Sequence, residues 1–169
     1  MNQNIPLFTS AGGSVLLPIT PLNCRQDGGH LLVNPPREVW ERSELTAEEL
    51  MHWSFLIAAT GEAMLYSLPQ LADGCLNYWE AGNWALNNAA APIGPKTPRE
   101  HRRVHLHVFG RSRTASHEDW QWGESPSFPP YAESKKWSSQ FELLTSEECT
   151  SISKRIEVVL REKFDLRLR

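Results

Sequence analysis

Apolar residues recur along the chain with two periods, and the periods mark its elements. At helical spacing, Leu50, Trp53, Ile57, Met64 and Leu65 form one stripe, and Ile152, Ile156, Val159 and Leu160 form a second. Each stripe follows a Thr-x-x-Glu step, Thr46 with Glu49 and Thr145 with Glu148. That spacing is a capping box, in which each side chain satisfies the other residue's exposed backbone amide. Two helices are therefore predicted, one from Thr46 that ends before Pro69 and one over 145–165, with Gly61 a weak point in the first.

Shorter apolar runs predict strands. SVLLPITPL (14–22) reads as an extended segment whose prolines bar it from the centre of a sheet. RQDGG (25–29) supplies a turn, because Asp-Gly accepts positive φ. HLLVNPPR then follows as a strand halted by Pro35 and Pro36, and the two strands make a first hairpin. CLNYWEAG (75–82) and RVHLHVF (103–109) are further strands, and the Pro-, Ala- and Asn-rich stretch 87–98 is a loop. From 110 to 140, Trp120, Trp122, Phe128, Tyr131 and Trp137 follow no period and predict an ordered loop pinned to the body by its aromatics. The sum is one α+β domain over 1–169: a core at 14–111, an excursion at 112–144 and a C-terminal helix. No internal repeat or domain boundary interrupts it.

Composition narrows the picture without redirecting it. A chain of 169 residues can bury roughly 70% of its unfolded surface, enough for a single core. A net charge of −3 argues against a dedicated nucleic-acid binder. Three widely spaced cysteines, Cys24, Cys75 and Cys149, fit neither a zinc ribbon nor a redox pair and read as reduced thiols in a cytoplasmic protein. The N-terminus lacks a basic start and a continuous apolar run, so no membrane targeting is expected.

The chemistry concentrates in EHRRVHLHVFGRSR (100–113), with three histidines and four arginines. Alternation along a strand gives Val104, Leu106 and Val108 to one face and Arg103, His105, His107 and Phe109 to the other. Two imidazoles would then stand roughly 6–7 Å apart at their Cα atoms. Guanidinium groups bind phosphate in a bidentate manner, and a neutral imidazole can attack phosphorus or carry a proton. A metal site is the rival reading, but Gly110, Arg111 and Ser112 stand where a carboxylate ligand would be wanted, and arginines repel a cation. A third reading makes the histidines ordinary structural side chains.

HLHVFGR (105–111), preceded in order by GGHLLVNPPR (28–37), LTAEEL (45–50) and ADGCLNYWEAG (72–82), resembles the histidine-triad (HIT) superfamily over residues 28–111. The resemblance implies an α+β fold with a central antiparallel sheet, often as a homodimer. It implies hydrolysis or transfer of nucleotidyl groups without a metal or other cofactor, and a nucleotide or nucleotidyl conjugate as partner. His105 matches the middle histidine, which attacks the α-phosphorus, and His107 the third, which supports it. Arg103 stands where the first triad histidine belongs, and His101 can share that face only if the strand extends backwards. TPREHRR replaces the family's Gly-Gln-Ser/Thr stretch, so Arg103, Arg102 or Arg99 are candidate phosphate donors. Glu80 holds the amide-bearing position before the glycine turn, with Asn83 a substitute. Asn23 stands near the family's ribose-reading acid, His30 is expected to make a strand-end hydrogen bond, and Arg37 is a solvated charge. Trp120, Trp122 and Trp137 either wall a base pocket or pack the tail. The implied activity is an enzyme; the alternative is a nucleotide- or anion-binding protein on the same scaffold.

Overall fold

The computed structural model describes residues 4–166. Five strands, β1 (Ile5–Ser10), β2 (Gly13–Leu17), β3 (His30–Asn34), β4 (Cys75–Ala81) and β5 (His105–Arg111), form one antiparallel sheet in the order β1-β2-β3-β5-β4. The helices are α1 (Ala47–Ser67), α2 (Pro98–His101), α3 (Ser134–Ser138) and α4 (Ser146–Glu162). The α+β architecture is as the sequence predicts, and both capping boxes are complete.

Alternation divides the sheet into two chemistries. One face carries Val15, Leu17, Leu31, Val33, Leu106 and Val108, all buried against α1 and α4. Each such side chain stabilises the fold by roughly 1.5–3 kcal/mol relative to exposure. The buried stripe of α1 runs through Trp53, Leu56, Ala59, Ala63 and Met64, whereas Leu65 is exposed and Ile57 only half-buried. Alanines bring the helix close to its neighbours, and Gly61 has a reason too: a Cβ there would lie 2.1 Å from the Tyr78 hydroxyl of β4. The opposite face carries His30, His107 and Phe109, covered by a second apolar cluster of Leu22, Phe109 and Trp120 with Trp79, Trp84, Phe128 and Trp137 around it.

Two expectations need correction. The β2–β3 hairpin forms, but a tighter hairpin precedes it, since β1 pairs with β2 across Ala11–Gly12. IPLFTS lacks clean alternation and its residues are largely exposed or half-buried, which hides it in the sequence. The histidine strand begins at His105 rather than at 103, because the Val104 amide donates instead to the Val39 carbonyl. Residues 83–86 and 98–101 coil into short helical turns on either side of the loop. Among the described residues no helix is long and apolar enough to cross a membrane, and the three cysteines are free thiols.

The turn before β3 lies directly on β5. The Gly110 amide donates to the Gly29 carbonyl, and a Cβ on Gly110 would stand 2.1 Å from the Gly28 oxygen. Gly28 itself has φ +128°, where a side chain is strained. Gly110→Ala is expected to lower the unfolding free energy by about 1–3 kcal/mol, read from urea denaturation. An unchanged midpoint would contradict this close approach.

Candidate active site

The antiparallel register brings together histidines that are far apart in sequence. His30 on β3 lies opposite Phe109, one pleat from His107 on β5. His30 Nε2 is 2.8 Å from His107 Nδ1, and His107 Nε2 is 3.0 Å from His105 Nε2. The row is anchored at both ends by backbone: the Leu22 N–H donates to His30 Nδ1 at 3.2 Å, and His105 Nδ1 lies 3.0 Å from the Arg103 carbonyl.

Those two anchors assign every proton in the row. A carbonyl can only accept, so His105 carries its hydrogen on Nδ1 and keeps a lone pair on Nε2. An amide N–H can only donate, so His30 accepts at Nδ1 and carries its hydrogen on Nε2. His30 then donates to His107 Nδ1, and His107 Nε2–H donates to His105 Nε2. Three neutral imidazoles thus satisfy all six ring nitrogens in one direction, from Leu22 to Arg103, with no conflict. A directed row of this kind polarises cooperatively.

Desolvation keeps the row uncharged. Burial, and then the imidazoles of His107 and His105, hold His30 well below the ordinary value of 6.5. Burial and then His105 push His107 down to about 3. Burial also lowers His105, opposed by its bond to the Arg103 carbonyl. An imidazole neutral at pH 7 with a lone pair on its solvent-facing member is a nucleophile in its reactive form.

A cavity of about 410 Å³ opens beside this end of the row. His105 and His107 line it together with Leu22, Trp79 and Trp84, and the Trp79 ring lies 5.5 Å from that of His107. Exposed Asn83 and Arg103 and half-buried His101 complete its polar lining. Arg103 also borders a second, smaller cavity, with its guanidinium bonded to the Arg102 carbonyl and near Glu38.

The structure therefore gathers His105, His107, Arg103, His101 and Asn83, and leaves two expected residues outside. Glu80 pairs in register with Leu106, so its side chain belongs to the helix-facing side of the sheet, where it meets Arg42. Asn23 is fully buried, and its Nδ2 donates to the Gly110 carbonyl at 2.8 Å, which makes it a brace between turn and strand. His101 arrives by a route the strand argument did not contain: α2 folds it back, with Nδ1 3.1 Å from the Thr97 amide. Arg111 is no phosphate clamp; it is buried, bonded to Asn77 and to the Gln121 and Glu124 carbonyls. Arg113 lies over Trp122, Arg99 over Trp40, and Arg102 reaches the Trp40 carbonyl and Glu41. Arg37 pairs with Glu49 at the start of α1.

Sequence reasoning ranked His30 too low and passed over Leu22, Trp79 and Trp84. Its strand-end hydrogen bond is real, but its second nitrogen reaches His107. The parity of GGHLLVN shows which face His30 occupies, but only the pairing register supplies its neighbour. Trp120 and Trp137 pack rather than wall the cavity: both indole N–H groups point at the Leu22 carbonyl, at 3.0 and 3.5 Å. Trp122 is exposed. Among the described residues no group of three or more His, Cys, Asp or Glu side chains is placed to hold a metal ion.

No protein-family model matches the chain, and no curated protein is similar to it in sequence. Its fold is similar to the crystal structure of a hypothetical histidine triad nucleotide-binding protein from Sulfolobus tokodaii strain7. The TM-score is 0.53 at 13% identity, covering 99% of this chain and 93% of that one. The chain has a HIT-like α+β fold.

Burial of neutral histidines has a measurable cost in acid. Below pH 6.5 the unfolded chain protonates these residues while the folded chain does not, so the unfolded state binds more protons. Stability is expected to fall as pH drops from about 6.5 towards the His107 value of about 3, by up to ~1.4 kcal/mol per pH unit for each buried histidine. Denaturation series at several pH values should show a shallower slope for His107→Asn. Equal slopes in the two proteins would contradict a buried neutral His107.

Proposed function

We propose that this chain is a nucleotidyl hydrolase or transferase that acts on a nucleotide α-phosphate through a transient nucleotidyl-histidine on His105. The observation that supports it is the directed imidazole row, which presents a neutral His105 with its Nε2 lone pair beside a cavity lined by two tryptophans. The HIT-like fold and the name of its structural neighbour, a nucleotide-binding protein, agree with that chemistry. A homodimer and a cytoplasmic location are part of the same reading.

At rest the His105 lone pair accepts the His107 proton. A non-bridging phosphate oxygen takes over that hydrogen bond when substrate enters, which frees Nε2 and stabilises charge on the phosphoryl group. Nε2 attacks the α-phosphorus, the bond to the leaving group breaks, and the leaving group departs with the electron pair and takes a proton from water. His105 becomes a nucleotidyl-imidazolium whose Nδ1–H stays on the Arg103 carbonyl. Water, or another acceptor, then attacks phosphorus and loses a proton, and the P–N pair returns to Nε2. Arg103, His101 and Asn83 are the side chains available to hold phosphate and leaving group, in place of the absent Gly-Gln-Ser/Thr stretch.

A second reading is a nucleotide- or anion-binding protein without turnover, favoured by the engagement of the His105 lone pair at rest. Hydrolysis of adenosine 5′-tryptamine phosphoramidate in the presence of a chelator separates the two. Wild type is expected to turn over, and His105→Asn to lose at least ~10³-fold in kcat. Because burial lowers the His105 value, kcat/KM should be flat between about pH 6.5 and 8 and fall only in more acidic buffer, where the nucleophile protonates. Nucleotide binding with no wild-type turnover would establish the second reading.

A further inference from the structure

We propose that the smaller cavity, of about 270 Å³ on the β3 side of His105, receives the leaving group of the substrate and selects a short amine that bears a carboxylate. The proposal rests on the nucleotide-directed reading above and names the other half of its substrate.

Two cavities meet at the nucleophile, since His105 and Arg103 line both. On the β4 side Trp79, Ala81 and Trp84 make the larger one apolar. On the β3 side the sheet turns polar. Ser14 pairs with Asn34, and Val33 pairs with Leu106, so that one residue further on Asn34 stands beside His105 on the histidine face. Ser14, Asn34 and His105 form a polar step across three strands, and all three line the second cavity.

The side chains of that step are uncommitted. Ser14 and Asn34 are half-buried, yet among the described residues neither the hydroxyl nor the carboxamide has a hydrogen-bond partner. Arg37 and Arg103 add positive charge to the lining. Arg37 uses Nε and Nη2 on Glu49 and the Glu44 carbonyl, and Arg103 uses Nε and Nη1 on Glu38 and two backbone carbonyls. Each keeps one terminal nitrogen without a partner among the described residues. Glu38 is the one carboxylate bordering this cavity. Its side chain is 83% exposed and 3.3 Å from Arg103 Nε, a surface pair of the kind that costs little to open.

Two guanidinium groups, a carboxamide and a hydroxyl together present mainly donors. Such a set favours a pair of anionic oxygens over a neutral amide, because charge-assisted hydrogen bonds are roughly twice as strong as neutral ones. Drug-sized ligands occupy about 300–1,000 Å³, so this space suits a short chain rather than a second nucleoside. In the reaction the bond from His105 Nε2 to phosphorus forms as the P–N bond to the amine breaks. The amine departs opposite Nε2 with the electron pair and takes a proton from water, while its carboxylate lies against Asn34 and Ser14.

The test uses the adenosine 5′-phosphoramidates of 3-aminopropanoate and 3-aminopropanamide, which differ in a carboxylate against a carboxamide. Turnover is followed in the wild type, and binding by tryptophan fluorescence in full-length His105→Asn, where both ligands stay intact. The carboxylate compound is expected to be favoured at least about tenfold in both, the scale of one charge-assisted hydrogen bond. Asn34→Leu is expected to bring the ratio within about threefold, and this change in ratio cancels the intrinsic reactivities of the two amines. If Asn34→Leu does not fold, Arg37→Gln is the second variant, with the preference lowered at least about threefold. Binding of adenosine 5′-monophosphate with no preference between the two conjugates overturns the proposal and leaves the nucleotide reading standing. A preference that both variants retain also overturns it, and failure of all three compounds to bind overturns both. A binding preference without turnover upholds the subsite and removes the catalytic reading instead.

Discussion

Three imidazoles joined in a row between one backbone N–H and one backbone carbonyl are the constraint around which this molecule is arranged. Each ring nitrogen has one permitted role, and the roles agree along the whole length. The arrangement holds only where water is kept away and the rings stay neutral, because a proton added anywhere would set two donors against each other. Burial of His30 and His107 therefore serves both the tautomers and the charge state.

The remaining structure supplies that environment. Two helices cover one face of the sheet with hydrocarbon and leave the other to histidines and aromatics. The excursion after β5 then closes over the second face, tied down by the Asp27 carboxylate, which accepts from the Ser116 and His117 amides. Leu22 is the joint between the two systems, with its N–H in the histidine row and its carbonyl under the indoles of Trp120 and Trp137. The same residue also forms part of the cavity wall. The histidine row, the aromatic packing and the cavity wall therefore meet at one residue, through its backbone N–H, its carbonyl and its apolar side chain.

The fold was legible where local rules act alone. Thr46 with Glu49 and Thr145 with Glu148 mark both long helices, and alternation along β5 separates Leu106 and Val108 from His105 and His107. The site was legible where a residue sits on that strand. Elsewhere its composition depends on register and on chain reversals, which leave no local pattern: His30 reaches His107 across strands, and α2 returns His101 to the cavity. Glu80 shows the same limit from the other side. The resemblance implied a place for it at the site, before the glycine turn, but β4 parity sends it to the opposite face, where Arg42 takes it. The tryptophans carried no period, so a sequence could not say that Trp79 and Trp84 line the cavity while Trp120 and Trp137 hold a carbonyl.

The most direct test of this account is the protonation pattern of the histidine row, measured by long-range proton–nitrogen correlation NMR of the imidazole rings at pH 7. The account predicts three neutral rings, with His105 as the Nδ1–H tautomer and both His107 and His30 as Nε2–H tautomers. An Nε2–H tautomer at His105, or an imidazolium at any of the three positions, would contradict it.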